Sequence, residues 1–521
     1  MRHSGYKLLF VIALFSITTY ESNGSDITSI KKGKWISPTT WSGGVVPTAT
    51  DNVTISSTDT VTVDTTAAIP ITTAECNNLT VKGMLRFSQT VGIQMTVNGS
   101  LRVDSGATFR LLSNTIGGNL AHTIALYGDM TNNGTFDMKN GSANATLSNC
   151  TISFLGPNDS RVHMNGIYTS TNNEFGGITI NKSGTARVIL ESNIYLPSGS
   201  SAVTTAGANP VITFVHGVVE TGPYAIIHLW TNSGGVVGAS DSSYVLGNMG
   251  RGLTTSGSTT DRWFNVGTTR GYRPIKMRAI SPGNATGHYM LVEPFDSNAN
   301  TGSSLLTGNI DKVWGVRYYR CSYHSGGVGA SQMTFDKFTP SYGRNEGIAP
   351  GNTNLRVAYS TDNRATWNGQ GPTYVPHMTS LDTVPRTIAS DSLTGGLVLV
   401  DGAAMYVTIA RAAGTTENSL DPGSDAVIQK SDLPGEFELS QNYPNPFNPA
   451  TRLSFVIRNS SFVSLKVYDI LGREITTLVN ERLHAGSYEI PFDGSSLSSG
   501  IYLYRLTAGP FAETKRMTVV K

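Results

Sequence analysis

Two carboxylates in the N-terminal half of the chain are the residues most suited to catalysis. Hydrolysis of a glycosidic bond needs two carboxyl groups near that bond, and a lyase needs an Arg or Lys base near a bound cation. Asp129 and Asp137 would supply such a pair if they lay on adjacent rungs of a repeating fold. Isolated, solvated turn carboxylates are more common. We therefore predict no catalytic residue and keep a secreted polysaccharide lyase or glycoside hydrolase as the alternative.

Histidine, cysteine and phosphate-binding patterns predict no further site. The 9 histidines are scattered without ligand spacing, and no Walker loop, nucleotide fingerprint or Gly-x-Ser-x-Gly elbow occurs. We expect no metal and no cofactor. Three cysteines cannot form a disulfide framework, although Cys76 and Cys150 are free to pair if they come close in space. Three small buried apolar side chains, with Cys321 as the third, are the preferred interpretation.

Basic side chains in the same region are candidates for ligand contact. Arg86 and Arg102 occupy the same position of a short repeat and are expected to lie on one face of neighbouring coils. With Lys82 they could contact acidic glycans. An exposed charge on the outer side of a strand is the simpler interpretation.

The composition indicates the elements that must position these side chains. Charged residues make up only 14% of the 521 residues, Gly reaches 56, and the net charge is +2. Abundant Ser, Thr, Gly and Asn favour many short strands joined by turns, so we predict an all-β protein. A net charge near zero provides no field to attract polyanions, which argues against nucleic acid as a partner.

A repeat predicts how the N-terminal part of the chain folds. Residues 79–87 (LTVKGMLRF) are followed sixteen positions later by residues 95–103 (MTVNGSLRV), with apolar, Gly and Arg positions aligned. Such a pattern is typical of a right-handed parallel β-helix, which we assign to residues 25–204. Trp35 and Trp41 are placed to close one end of its apolar core.

The middle of the chain loses the repeat and gains aromatic strands. Residues 205–411 predict a β-sandwich-like region, and residues 412–432, rich in small and polar side chains, predict a linker. Three tyrosines could either stack on sugar rings or belong to the core. They are Tyr318, Tyr319 and Tyr323.

The N-terminus has the layout of a secretory signal peptide. Arg2 and Lys7 precede the apolar run of residues 8–17, and small residues end at Gly24. The run is too short for a stable membrane anchor, which needs about 20 apolar residues. We predict a signal peptide at residues 1–24, cleavage after Gly24, and the Sec translocon as a partner.

The C-terminal segment, residues 433–521, predicts a small Ig-like antiparallel β-sandwich. Apolar residues alternate strictly over short runs such as Leu453, Phe455 and Ile457, each bounded by turn residues. A proline-rich stretch at residues 442–449 cannot donate ladder hydrogen bonds and is expected to be an extended lead-in outside the central strands.

This segment closely resembles the type A C-terminal sorting domain of proteins exported by the type IX secretion system of Bacteroidota and their relatives. The resemblance covers the last 85 to 90 residues in the family's order and spacing. The matching sorting-signal residues are Asn442, Pro444, Asn445, Pro446, Phe447, Asn448, Pro449, Asp469, Gly472, Gly486, Asp493, Gly500, Tyr502, Lys515 and Lys521.

The resemblance implies an export route. The domain would be read at the periplasmic face of an outer-membrane translocon and then removed by a sorting peptidase, leaving the passenger on surface lipopolysaccharide or free outside the cell. Gly500 is expected to allow a close approach to a strand edge, and Lys515 and Arg516 to offer exposed charges. We predict a secreted or surface protein whose passenger is adhesive or structural, contacting glycans or a matrix.

Overall fold

Strands and turns make up the fold. A computed structural model describes residues 24–64, 72–88, 92–112, 121–138, 149–165, 175–196, 211–229, 235–253, 259–280, 288–325, 332–343, 348, 354–370, 386–415, 420, 428–430, 437–457, 461–483, 486–509 and 511–520. Within these ranges the only helices are two short 3-10 helices, η1 (Pro38–Thr40) and η2 (Ser42–Gly44). No helix in the described ranges is long and apolar enough to cross a membrane. The predicted all-β class is confirmed. Residues 1–23 of the predicted signal peptide lie outside these ranges.

The N-terminal region is a parallel β-solenoid, as predicted. Its strands are β1 (Asp26–Thr28), β2 (Gly33–Lys34), β3 (Asn52–Ile55), β4 (Thr60–Val63), β5 (Thr72–Cys76), β6 (Leu79–Val81), β7 (Met84–Phe87), β8 (Ile93–Val97), β9 (Leu101–Val103), β10 (Thr108–Leu111), β11 (Ala121–Leu126), β12 (Met130–Asn132), β13 (Thr135–Asp137), β14 (Asn149–Gly156), β15 (Ser160–Met164), β16 (Gly177–Lys182), β17 (Val188–Leu190), β18 (Ile194–Leu196), β19 (Ile212–His216), β20 (Val219–His228), β21 (Val236–Val237) and β22 (Val245–Gly252).

These strands stack in parallel on three faces. The first face runs β1-β3-β6-β9-β12-β15-β17-β20-β22. The second face runs β2-β4-β7-β10-β13, and the third runs β5-β8-β11-β14-β16-β19-β21. From β3 to β14 each turn of the chain contributes one strand to each face, and only the stack as a whole encloses a core.

Inward side chains form continuous ladders along these faces. On the first face Leu79 is in register with Leu101, and both are buried. On the second face Phe87, Phe109 and Phe136 are fully buried, with successive ring centroids 5.3 and 5.8 Å apart. Because side chains alternate along a strand, the residues between them point outward. Each buried side chain of this size contributes about 1.5–3 kcal/mol of transfer free energy.

The sixteen-residue repeat relates neighbouring corners of the solenoid and not successive turns. Residues 79–87 hold β6 on the first face and β7 on the second, whereas residues 95–103 end β8 on the third face and form β9 on the first. A full turn here takes 22 residues, from Leu79 to its partner Leu101. Each corner of a three-sided coil needs an apolar strand end, then Gly, then the start of a new strand. Because all corners share this requirement, they resemble each other in sequence.

Trp35 and Trp41 close the N-terminal end of this core, as predicted. Their rings meet edge to face with centroids 5.1 Å apart, and neither is more than 1% exposed. Trp41 Nε1 donates a hydrogen bond to the carbonyl oxygen of Trp35 at 2.7 Å. The two rings therefore shield the first apolar rung from water.

The middle region consists of antiparallel sheets joined to the solenoid. Its strands are β23 (Thr259–Phe264), β24 (Val266–Thr268), β25 (Gly271–Tyr272), β26 (Ile275–Ile280), β27 (Tyr289–Phe295), β28 (Leu305–Thr307), β29 (Ile310–Val313), β30 (Tyr318–His324), β31 (Gln332–Tyr342), β32 (Leu355–Ser360), β33 (Thr366–Gln370), β34 (Arg386–Thr387), β35 (Leu397–Val400) and β36 (Ala404–Ala412).

Two antiparallel sheets share one core in this region. One contains β27-β30-β36-β32-β33, and the other contains β23-β26-β31-β35. Buried side chains of both sheets, including Tyr319 and Phe338, belong to the same hydrophobic cluster as the solenoid ladders. This arrangement is the β-sandwich-like region that the sequence predicts.

The solenoid and the middle region meet without a break. Parallel pairing continues past residue 204, where the sequence places the boundary, through β20 and β22 to β24. The strand β22 also pairs antiparallel with β27, with Met249 opposite Val292. The first face of the solenoid therefore passes directly into a sheet of the middle region.

The C-terminal region is a separate sandwich. Its strands are β37 (Ile428–Lys430), β38 (Glu438–Leu439), β39 (Ala450–Ile457), β40 (Ser461–Tyr468), β41 (Glu474–Leu483), β42 (Gly486–Asp493), β43 (Gly500–Ala508) and β44 (Phe511–Val519). They form two four-stranded antiparallel sheets, β37-β42-β39-β38 and β41-β40-β43-β44. Leu453, Leu465 and Leu506 are among its fully buried residues, which form a cluster of their own. The predicted antiparallel sandwich is confirmed.

Parts of the predicted linker, residues 412–432, belong to the two folded regions on either side. Leu420 is fully buried in the core of the passenger. The strand β37 pairs with β42 of the C-terminal sandwich, with Gln429 opposite Tyr488. The described residues of this segment therefore have structural roles that a flexible linker would not need.

Candidate export-recognition site

The proline-rich lead-in, residues 442–449, packs along the last strand of the C-terminal sandwich. The backbone amide of Phe447 donates to Thr518 O, and the amide of Val520 donates to Phe447 O, both at 3.0 Å. The Phe447 ring is 2% exposed and packs edge to face on Phe492 at 6.1 Å between centroids. The lead-in thus lies outside the central strands, as predicted, and covers part of the edge of β44.

Asn442 folds the start of the lead-in. Its buried side-chain amide donates to Pro444 O at 3.1 Å and to Thr451 Oγ1 at 3.0 Å. Its backbone amide donates to the hydroxyl of Tyr504, which in turn donates to Ser440 O, both at 2.8 Å. Burial raises the pKa of Tyr504 to about 12, so the hydroxyl keeps its proton for this bond. Asn442 therefore has a structural role.

Asn445 ties the lead-in to β44 a second time. Its Oδ1 accepts a hydrogen bond from the backbone amide of Thr518 at 2.9 Å. The side chains between these anchors point into solvent, and Tyr443 is 81% exposed. The other exposed residues of the lead-in are Pro444, Asn445, Pro446, Asn448 and Pro449. Asn442, Asn445 and Phe447 thus anchor the segment, and the remaining exposed positions form a surface.

Asp469 shapes the turn between β40 and β41. Its Oδ1 accepts from the backbone amides of Leu471 and Arg473, both at 2.9 Å, and its Oδ2 accepts from Arg473 Nε at 2.6 Å. The backbone bond from Arg473 is the main cause that lowers the pKa of Asp469. Gly472 has a φ of 81°, which favours glycine. The turn leaves Ile470 and Leu471 at its tip, 69% and 74% exposed.

The remaining predicted sorting residues are spread over both sheets. Gly486 begins β42 opposite Ile457, Asp493 Oδ1 accepts from the backbone amide of Ser495 at 2.8 Å, and the Tyr502 hydroxyl donates to Ser498 O at 3.0 Å. Lys521 lies outside the described residues.

Two expectations about this domain change with the structure. A Cβ at Gly500 would have its nearest neighbours at 3.9 Å, so no close approach requires glycine there. Lys515 is partly buried and pairs with Glu513 at 3.1 Å, because its side chain points to the inner side of β44. Arg516, on the other side of that strand, is exposed as expected.

Gly494, Arg452 and Glu489 also shape this surface, although their roles were not predicted from the sequence. A Cβ at Gly494 would lie 2.9 Å from the Phe447 ring, so this glycine makes room for the buried ring. Arg452 and Glu489 form a salt bridge of 2.8 Å on the outer side of the sheet. They line a groove of about 560 Å³ that also includes Tyr443. The only sequence signal was the alternation that placed Arg452 and Glu489 on the outer side.

The candidate catalytic pair of the passenger does not assemble. Asp129 precedes β12 and Asp137 ends β13, so both lie on one turn and not on adjacent rungs. Asp129 Oδ1 accepts a hydrogen bond from the backbone amide of Arg161 at 2.8 Å, a corner contact. Within the described ranges no cluster of three or more His, Cys, Asp or Glu residues could hold a metal ion.

The prediction that Arg86 and Arg102 lie on one face of the solenoid is wrong. Arg86 lies on β7 of the second face, in register with Arg110, whereas Arg102 lies on β9 of the first face. The reason is that the repeat relates neighbouring corners of the solenoid and not successive turns. Lys82 is exposed at the corner between the first and second faces.

The aromatic and cysteine candidates are core residues. Tyr318, Tyr319 and Tyr323 are at most 8% exposed, so they offer no platform for sugar rings. Cys76 and Cys150 are free and buried on β5 and β14, three rungs apart on the third face. Three rungs span about 14 Å, too far for a disulfide. The preferred interpretation of the cysteines as buried apolar side chains is confirmed.

Comparison with known families assigns the C-terminal sandwich. Residues 441–521 match the family model described as secretion system C-terminal sorting domain. These residues form a type IX sorting domain. The sorting domain therefore directs the chain to the type IX secretion machinery and to the cell surface or the medium. The resemblance seen in the sequence is confirmed.

A second family model matches part of the passenger. Residues 40–165 match the G8 domain, a range that begins at the tryptophan cap and ends after β15 of the solenoid. No curated protein and no solved structure matches the chain.

Proposed function

We propose that the passenger, residues 25–411, is an adhesive or structural surface that contacts extracellular glycans or a matrix. The observation that carries this proposal is a long three-faced solenoid in the same chain as a type IX sorting domain. Outward positions in register on the first face, such as Thr28, Thr54 and Thr80, present hydroxyl groups. Such rows suit contacts with sugar hydroxyls. The alternative, a glycan-cleaving enzyme, lacks support from Asp129 and Asp137, which do not lie on adjacent rungs.

The export route that we propose begins with a signal peptide at residues 1–24, the Sec translocon and passage through the periplasm. The structure offers support at the proposed cleavage site. The backbone amide of Ser25 donates to Asp51 Oδ1 at 2.8 Å. Cleavage after Gly24 would turn this amide into an ammonium group beside a carboxylate, a stronger interaction. A sorting peptidase then removes the C-terminal domain, and the passenger stays on surface lipopolysaccharide of the outer membrane or is released.

Deletion of residues 434–521 tests the route. The truncated chain should accumulate in the periplasm, as judged by resistance to protease added to whole cells. The control is the intact chain, which should remain accessible to the added protease. Surface display of the truncated chain at the level of the intact chain would contradict the proposal.

A glycan array and a reducing-end assay on the mature chain test the passenger. Binding without release of new reducing ends supports an adhesive surface. Turnover of any bound glycan would overturn the adhesive function in favour of a hydrolase or a lyase.

A further inference from the structure

The outer side of the second face carries a row of three basic side chains and one threonine. Lys34, Thr62, Arg86 and Arg110 lie in register on β2, β4, β7 and β10. Strands in a sheet are about 4.8 Å apart, so these four positions span about 14 Å. Three of these positions, Lys34, Thr62 and Arg86, line a groove of about 550 Å³ together with Asp64 and Ser88. We call these four positions the basic ladder.

Two arginines of the basic ladder directly oppose each other. Arg86 is in register with Arg110, an arrangement of like charges that reduces sheet stability. Arg86 Nε donates to Thr62 Oγ1 at 2.9 Å. Among the described residues neither guanidinium forms a salt bridge, whereas Lys34 pairs with Asp64 at 2.9 Å. An anion bound between Arg86 and Arg110 would relieve their repulsion.

Exposed arginines on the first face are arranged differently. Arg102 pairs with Asp104 at 2.5 Å, and Arg161 pairs with Glu191 at 2.9 Å. These pairs leave little unbalanced charge for a ligand. The unpaired guanidinium groups are therefore a property of the second face and not of the solenoid as a whole.

We propose that the basic ladder binds an acidic linear glycan, one that carries carboxylate or sulfate groups, along the second face. This inference rests on the proposed adhesive function and names its ligand class. Arginine guanidinium groups bind carboxylate and sulfate oxygens through paired N–H donors. A parallel row of outward positions, Thr60, Met84, Thr108 and Thr135, lies beside the arginines, and its three threonines suit sugar hydroxyls.

A glycan fits this surface better than a nucleic acid. Single strands bind to grooves in which exposed aromatic rings stack on the bases. The rings of the second face, Phe87, Phe109 and Phe136, are fully buried and face the core. Asp137, one rung beyond Arg110, limits the positive surface to a short segment. The ligand is therefore held by a few charges and by hydroxyl contacts.

The test compares binding of the mature chain to polygalacturonate, dextran sulfate and uncharged dextran. The double variant Arg86→Gln, Arg110→Gln should bind the two acidic polymers about tenfold more weakly than the unmodified chain. Arg102→Gln is the matched control, since it removes the same kind of charge from the first face. It should change affinity less than twofold. Circular dichroism of each variant checks that the solenoid is folded.

Different results would separate this inference from the proposed function. Equal binding of the acidic polymers by the double variant and the unmodified chain would overturn the basic ladder as the site and leave adhesion in place. Equal binding of oligothymidylate and acidic glycans by the unmodified chain would overturn the glycan assignment. Failure of the unmodified chain to bind any charged or uncharged glycan would contradict glycan contact itself.

Discussion

Phe447 is a buried ring in an otherwise exposed, proline-rich segment. It packs on Phe492 and holds the lead-in against β44 through two backbone hydrogen bonds. Phe447→Ala leaves a cavity and should lower the free energy of unfolding of the sorting domain by about 3–5 kcal/mol. Hydrogen exchange of the amides of β44 in the intact chain measures the effect. Asn448→Ala, at an exposed neighbouring position, should leave the exchange unchanged; equal loss of protection in both variants would contradict this role for Phe447.

His122 is a buried, neutral histidine in the solenoid. Its Nδ1 accepts a hydrogen bond from the backbone amide of Ile93 at 3.1 Å, and burial lowers its pKa to about 4. Below pH 6.5 the unfolded chain binds a proton that the folded chain does not. The free energy of unfolding should therefore fall by about 1.4 kcal/mol per pH unit between pH 6.5 and 4.

The His122 prediction is checked by comparing thermal unfolding at neutral and acidic pH. The acid-induced decrease in melting temperature should be smaller in His122→Leu than in the unmodified chain. His163, a half-buried histidine on the outer side of the first face, supplies the control variant His163→Leu. An unchanged pH dependence in His122→Leu would show that other groups cause the acid sensitivity.

Single residues also show which structural features the sequence patterns could predict. The prolines predicted that residues 442–449 form an extended lead-in outside the central strands. The need for glycine at Gly494 was not predictable, because it depends on a ring 47 positions earlier in the chain. The inward direction of Lys515, in contrast, follows from its spacing of two and four residues from the buried Met517 and Val519. Spacing in the sequence alone does not predict close contacts between residues that are far apart in the chain.

At the scale of elements, the aromatic ladder of the second face links one turn to the next. Phe109 lies between Phe87 and Phe136, so its removal affects contacts on both sides. Phe109→Ala should lower the free energy of unfolding by about 3–5 kcal/mol and loosen β7, β10 and β13 together. Hydrogen exchange resolved by peptide measures this. Thr108→Ala, on the outer side of the same strand, is the control; loss of protection in β10 alone would contradict coupling between rungs.

Turn lengths explain why the strands were easier to predict than their stacking. Alternating residues identified β6 to β9 correctly, and the solenoid was predicted from them. The interval from one first-face strand to the next varies, with Leu101 29 residues before its partner Met130 and Leu79 22 residues before Leu101. Because the turns differ in length, the number of residues per turn cannot be read from the sequence. The similarity between corner sequences suggested a wrong value for it. The misplacement of Arg86 and Arg102 on one face follows from this.

At the scale of the whole molecule, the domain boundaries are set by pairing partners. The strand β37 belongs to the sorting sandwich although it lies in a stretch of small and polar residues. A reporter fused to residues 426–521 should reach the cell surface more efficiently than one fused to residues 437–521, since only the first contains the full four-stranded sheet.

Protease accessibility of the reporter on whole cells measures this difference. A third fusion, in which Gly and Ser replace residues 426–436, keeps the length and removes β37. Its display should match that of the shorter fusion. Equal display of all three would show that β37 contributes nothing to export.

The covered ends of the solenoid determine whether the stack can be extended by another molecule. A parallel ladder with bare ends exposes unpaired backbone groups and apolar rungs to which another molecule can add. Here the tryptophan pair covers one end, and the other end continues into the antiparallel sheet that begins at β27. The length of the stack is thus set by the chain itself, and neither the tryptophan cap nor the continuing first face offers a bare rung to which a second copy could add.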